Sequence, residues 1–170
     1  MKKYLVWLLA AVFVATIVWI LQGSDEEREI LERLEQIRAL AEVDEQETPL
    51  TRLSRAKQIS ALFSPETHYD LTTLELGVTV LTSRDELAQR IVAGRSKLQF
   101  LQLELLAPVV HIDGDHATVG LTGTAVGATP HGEGQFLDVH RVEIELVRTD
   151  GDWLVRGGRH IRDERATFSR

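Results

Sequence analysis

The chain has 170 residues, 44% of them hydrophobic and 26% charged, with no cysteine and a formal net charge of −7. That size and balance fit one ordinary folded domain rather than a disordered chain, and the missing cysteine excludes disulfides, thiolate metal ligands and a cysteine nucleophile. An acidic chain without a basic patch or surface aromatics interleaved with Lys and Arg is not built to bind nucleic acid.

Residues 4–21 contain no charged residue, and Thr16 is the one polar interruption in a run of 18. As a helix at 1.5 Å per residue such a run spans about 27 Å, close to the ~30 Å hydrocarbon core of a bilayer. Trp19, Ile20, Leu21 and Gln22 stand where a signal-peptidase site needs small residues, so residues 1–23 read as an uncleaved anchor rather than a cleaved signal. Lys2 and Lys3 precede the run and Asp25, Glu26, Glu27 and Glu29 follow it. By the positive-inside rule the N-terminus stays cytoplasmic and the remainder faces outward. In a bacterium with two membranes the expected address is the inner membrane, single-pass, with a periplasmic domain.

Residues 24–47 carry ten acidic residues against three arginines. Ser24 and Glu27 form a capping box that starts a helix, and Ile30, Leu34, Ile37 and Ala41 make its apolar stripe. Arg28 with Glu32, Glu29 with Arg33 and Arg38 with Glu42 are i,i+4 pairs worth some tenths of a kcal/mol each. This acidic amphipathic helix is expected as a stalk or as the first helix of the domain, held off anionic lipid heads by its charge.

Residues 48–165 form the expected domain, and 166–170 a tail. Thr48-Pro49 opens a second helix with Leu50, Leu53, Ala56, Ile59, Leu62 and Phe63 as its buried line, and Ser64-Pro65 ends it. A short extended piece, 68–71, leads through an ambiguous apolar stretch to a third helix, capped by Ser83 with Glu86 and stopped at Gly94. The hydrophobic period then changes to two, predicting strands over 98–112, 116–128, 136–149 and 153–162 in hairpin order. The Asp113-Gly114 and Asp150-Gly151 pairs supply tight turns. A two-residue turn at Asp150-Gly151 sets Glu145 opposite Arg156 and Val142 opposite Arg159. One face then carries Phe136, Asp138, His140, Val142, Ile144 and Leu146 with Trp153, Val155, Gly157, Arg159 and Ile161; the other carries Arg141, Glu143, Glu145, Arg156, His160 and Arg162. The Asp113-Gly114 turn pairs Val110 with Ala117, which is out of phase with Leu101, Leu103 and Leu105 unless one extra residue, a bulge near Ala107-Pro108, corrects the parity.

Helices followed by a long, bent antiparallel sheet make an α+β fold behind a transmembrane helix. The stretches ISALFSPETHYDL, SRDELAQRIVAG and VEIELVRTDGDWLVRGG make residues 48–165 resemble the NTF2-like superfamily, the cone fold shared by ketosteroid isomerases, SnoaL-type polyketide cyclases and many non-catalytic domains. The resemblance implies a cone of about three helices on the sheet. It leaves function to the pocket, since the fold hosts unrelated activities.

Asp138 and His140 lie two residues apart on the covered face, with Arg159 expected diagonally across the sheet. In a catalytic reading His140 is a general base or acid oriented by Asp138, and Arg159 stabilises an oxyanion or a carboxylate. In a structural reading Asp138 and Arg159 are a buried ion pair beside a satisfied histidine. Tyr69, Leu101, Leu103, Val142, Ile144 and Trp153 are the expected pocket lining. His111 and His116 face each other across the first hairpin, two ligands where a metal site needs a third, and His131 lies in a glycine-rich loop. No nucleotide, metalloprotease or serine-triad motif appears, so neither a cofactor nor a metal is expected. The favoured reading is an anchored extracytoplasmic binding or scaffold module for a partner protein or small apolar ligand, with homodimerisation through the polar sheet face a further expectation. Its layout is similar to that of inner-membrane components of type IV secretion machines. The alternative is a tethered cyclase, isomerase or hydratase using Asp138, His140 and Arg159.

Overall fold

A computed structural model of the chain describes residues 25–65, 69–70, 80–81, 83–130 and 135–161. The expected anchor over 4–21, Ser24 of the first capping box, and His68 and His131 lie outside them. No helix among the described residues is long and apolar enough to cross a membrane. The elements in order are α1 (Asp25–Ala41), α2 (Pro49–Ala61), β1 (Tyr69–Asp70), β2 (Val80–Leu81), α3 (Arg84–Arg95), β3 (Phe100–Asp113), β4 (His116–Ala128), β5 (Gln135–Thr149) and β6 (Asp152–His160). β3 to β6 form one antiparallel sheet in sequence order, and β1 pairs with β2. Among the described residues the fold is therefore α+β, three helices on a four-stranded antiparallel sheet.

The helix starts follow local chemistry. Thr48 Oγ1 accepts the Thr51 N–H at 3.2 Å with Pro49 in the first turn, and Ser83 Oγ accepts the Glu86 N–H at 3.2 Å. α1 lays Ile30 and Leu34 into a core with Ala117, Val119, Leu121, Leu146, Trp153 and Val155. Trp153, Ile30, Leu146 and Val119 are its fully buried members. Three polar clasps hold α1 to the sheet. Glu26 pairs with Arg148 at 2.8 Å, Arg33 with Asp152 at 3.2 Å, and Arg38 donates to the Leu103 carbonyl at 3.1 Å. Arg33 thus bonds across to the sheet rather than to Glu29.

α2 departs from its predicted face. Ala56, Ile59 and Leu62 are buried, but Leu50 is 80% and Leu53 44% exposed. The cause is Glu47, whose side chain is almost fully buried: Arg52 and Arg55 turn inward to it, at 3.4 and 3.7 Å, and take the face that the leucines would occupy. Arg95, itself buried, completes that cluster. Its guanidinium pairs with Glu47 and donates to the carbonyls of Leu40, Ala41 and Glu42, the open C-terminal end of α1.

Both sheet edges are partly covered. Val43 pairs with Leu101 on the outer side of β3, and the chain after α2 pairs Phe63 with Val155 on β6. The first hairpin turns on Gly114-Asp115, one residue later than expected. Gly114 takes φ +59° and Asp113 pairs with His116, so Val110 faces Val119 instead of Ala117, a shift of two that keeps the parity. His111 consequently faces Thr118, not His116. The expected bulge is present. Leu106 pairs with Thr122 but Val109 with Gly120, and Ala107, at φ 49° before Pro108, absorbs the extra residue. The second hairpin turns at Asp150-Gly151 as expected, pairing Thr149 with Asp152.

A second bulge was not anticipated. Leu146 faces Val155, but Glu145 faces Gly157, so Arg156 is an extra residue on β6. Beyond it every pairing moves by one, and Glu143 rather than Val142 faces Arg159. The sheet face turned away from the helices carries Glu143 and Arg159. It also exposes Leu106, Val109, Leu137 and Val139, so it is less polar than the sequence pattern indicates.

Candidate functional site

The inner face of β4 reads Leu121, Gly123, Ala125, Gly127, large to small. Across the sheet these positions face Val142, His140, Asp138 and Phe136. Small residues there lower the floor and leave room beneath α1. A Cβ at Gly127 would run into the Phe136 ring and the Phe100 carbonyl, so glycine is needed at that position, whereas Gly123 and Ala125 leave space that no side chain fills. The result is a cavity of about 240 Å³. α1 supplies its roof through Leu34, Ile37 and Ala41, β3 its wall through Leu103 and Leu105, and β5 brings Ile144, Asp138 and His140. A larger, polar groove of about 740 Å³ runs beside it along the 42–45 loop and the start of β3.

Asp138 and His140 meet as the sequence suggests. His140 Nε2 lies 2.7 Å from Asp138 Oδ2, and the two side chains are 40% and 55% exposed. Arg159 does not join them. The Arg156 bulge rotates β6 by one residue, so Arg159 lies on the opposite face, ion-paired with Glu143. Val142 instead faces His160, and His160 Nε2 sits 2.8 Å from His140 Nδ1 with the rings edge-to-face at 4.8 Å. The polar chain of the site is therefore Asp138–His140–His160.

Of the expected lining, Leu103 and Ile144 wall the cavity, Leu101 borders the polar groove, and Val142 packs against the core. Trp153 is not lining. It is fully buried at the far end of the sheet, with the Arg148 guanidinium 4.7 Å from its ring. Tyr69 begins β1. Sequence reasoning missed His160, and the signal for it was present: Gly157-Gly158 inside a strand marks a bulge. Gly158 has its own reason, since a Cβ there would stand 3.3 Å from the Glu143 carbonyl.

Among the described residues the one arginine or lysine lining the cavity is Arg38, and it is committed. It donates to Glu35 at 2.8 Å and to Glu42 at 2.6 Å as well as to the β3 backbone. Its hydrogen bond to Glu35, with the neighbouring carboxylates, holds its pKa above the ordinary arginine value against the effect of burial. The same bond holds the Glu35 carboxyl below its usual range. Glu42 in turn accepts the Leu103 N–H at 3.2 Å, which closes part of the β3 edge. Among the described residues no three His, Asp or Glu side chains are grouped to hold a metal ion.

Solved structures resemble the chain in fold. An NTF2-like protein with a cystatin-like fold from Novosphingobium aromaticivorans is 17% identical, with a TM-score of 0.61 over 90% of each chain. A candidate scytalone dehydratase from the same organism is 12% identical, with a TM-score of 0.64 over 81% of this chain and 85% of that one. A candidate aromatic ring hydroxylase, again from Novosphingobium aromaticivorans, is 16% identical, with a TM-score of 0.65 over 82% and 90%. No curated protein matches the chain. The SnoaL-like domain family matches residues 32–158, which takes in α1 from its second turn, the cavity and nearly the whole sheet, and the chain belongs to that family.

Proposed function

We propose that the chain is a membrane-anchored extracytoplasmic domain whose cone binds a small, neutral, largely apolar ring compound, and that Asp138, held by His140, exchanges a proton with it. The observation that carries this reading is the 240 Å³ cavity with aliphatic walls and one hydrogen-bonded carboxylate–imidazole pair at its edge. An apolar cavity of ~150 Å³ already accepts benzene, so the volume suits one substituted ring. With Arg159 turned away and Arg38 neutralised by Glu35 and Glu42, no free cation among the described residues awaits a substrate carboxylate. A carboxylate that can take a proton beside an apolar cavity serves isomerisation or dehydration, in which a C–H proton is removed next to a carbonyl. Similar folds described as a candidate scytalone dehydratase and a candidate aromatic ring hydroxylase are in keeping with ring substrates. The anchor rests on residues 4–21 and the charges that flank them.

The whole chain, solubilised in detergent micelles, tests the reading by amide NMR with phenol and cyclohexenone as one-ring probes. Expected are shifts at Leu103, Gly123 and Ala125 that Ala125→Leu, by filling the cavity, abolishes. In deuterated water the wild-type protein should speed exchange of the cyclohexenone α-protons, and Asp138→Asn should lower that rate at least ~100-fold while binding persists. Probes that move no cavity amide would overturn the proposal.

A further inference from the structure

Resting on the proposed acid–base role of Asp138, we propose that His140 and His160 form a two-imidazole proton conduit, which links that carboxylate at the cavity to solvent at the end of β6. His140 is the middle of the chain. Its Nε2 is engaged by Asp138 and its Nδ1 by His160, so neither ring nitrogen is free for a ligand. The free positions are at the two ends, the second carboxylate oxygen of Asp138 and Nδ1 of His160. The ends lie in different surroundings: Asp138 and His140 line the cavity, and His160 does not. A ligand seated over Asp138 would cover that carboxylate, 55% exposed without one, while half-buried His160 stays outside the cavity lining.

The protons balance. In the resting arrangement His140 Nε2–H donates to the Asp138 carboxylate and His160 Nε2–H donates to His140 Nδ1. A proton taken up at His160 Nδ1 sends the His160 Nε2 proton to His140 Nδ1, and the His140 Nε2 proton passes to Asp138 Oδ2. One proton enters at His160 and one arrives at Asp138, which becomes a neutral acid; the reverse sequence discharges a proton taken from a ligand. Two facing N–H groups would break the 2.8 Å contact, so a single proton lies between the two rings.

Among the described residues no other charged group reaches the chain. Across β4 stands Gly123, which bears no side chain, and β3 adds Leu105 with Glu104 beside it. α1 presents Arg38, paired with Glu35 and Glu42, and the Arg159 guanidinium on β6 is held by Glu143 on the other face. The bulge at Arg156 brings His160 onto this face at all, in keeping with the use of bulges to re-aim side chains next to active sites.

Histidine ring ¹⁵N spectra of the whole chain in micelles, recorded across pH, test the conduit without a substrate. Both His140 and His160 should follow one two-step curve. In His160→Gln, which keeps an N–H donor but cannot pass a proton, His140 should respond to pH as a ring on its own. His111 and His116 serve as controls for an intact fold. Independent single-step curves, unchanged by His160→Gln, would overturn the conduit. Coupled rings in a protein that binds neither phenol nor cyclohexenone would keep the histidine pair and sink the proposed function; binding with uncoupled rings would sink the pair alone.

Discussion

Glu47 and Arg95 show how much one pair of side chains can hold in place. Both are almost fully buried, and Arg95 also closes three carbonyls at the end of α1. That helix end roofs the cavity through Ala41. Removing the cation alone leaves a carboxylate in the interior beside the partly exposed Arg52 and Arg55, whereas removing both leaves a smaller deficit. Arg95→Met should therefore destabilise the protein by about 3–5 kcal/mol, and Arg95→Met with Glu47→Gln by less than Arg95→Met alone, read from urea unfolding midpoints at equal slope. A double variant no more stable than Arg95→Met would mean that the capping of α1, not the ion pair, carries the effect.

At the scale of elements the two bulges explain what was legible. The bulge at Ala107-Pro108 follows from parity, because Leu101, Leu103 and Leu105 on one side and Val110 and Ile112 on the other all pack inward only if one residue is looped out. Proline marks the place, since it cannot donate to a ladder. The bulge at Arg156 breaks no hydrophobic alternation, because the residues after it are Gly157, Gly158, Arg159 and His160, none of which belongs by hydrophobicity to one face. Register there is set by backbone fit, so extrapolation from the turn ran one residue out and chose Arg159 in place of His160. Likewise Leu50 and Leu53 read as core because a buried Glu47 with three arginines about it leaves no periodic signature. Deleting Arg156 should close the bulge and leave Glu145 opposite Gly157, Glu143 opposite Arg159 and Val142 opposite His160, so that His160 stays on the face of His140. Persistence of the His140–His160 contact in ring ¹⁵N spectra, with the other histidines unmoved, is the expected result; its loss would show that β6 re-registers from the Asp150-Gly151 turn when the extra residue is removed.

The whole molecule ties the cavity to the proposed anchor through α1. Three residues separate the apolar run 4–21 from Asp25, where α1 begins. α1 is 17 residues long, about 25 Å at 1.5 Å per residue. Its first turns sit over the closed end of the sheet, where Glu26 meets Arg148 above Trp153, and its last turns, with Ile37, Arg38 and Ala41, roof the cavity. With the proposed anchor in a bilayer and α1 directed away from it, the packed end is expected to face the lipid and the cavity to open toward the compartment beyond, so that a ligand would arrive from the aqueous side. The absence of native cysteine makes this measurable with single labels. A fluorophore on Arg28→Cys, at the start of α1, should be quenched by spin-labelled lipid headgroups in reconstituted vesicles, and one on Glu45→Cys, past its end, should be quenched far less. Equal quenching at both sites would mean that α1 lies along the surface, with the cavity beside the lipid and open to apolar molecules that reach it from the bilayer.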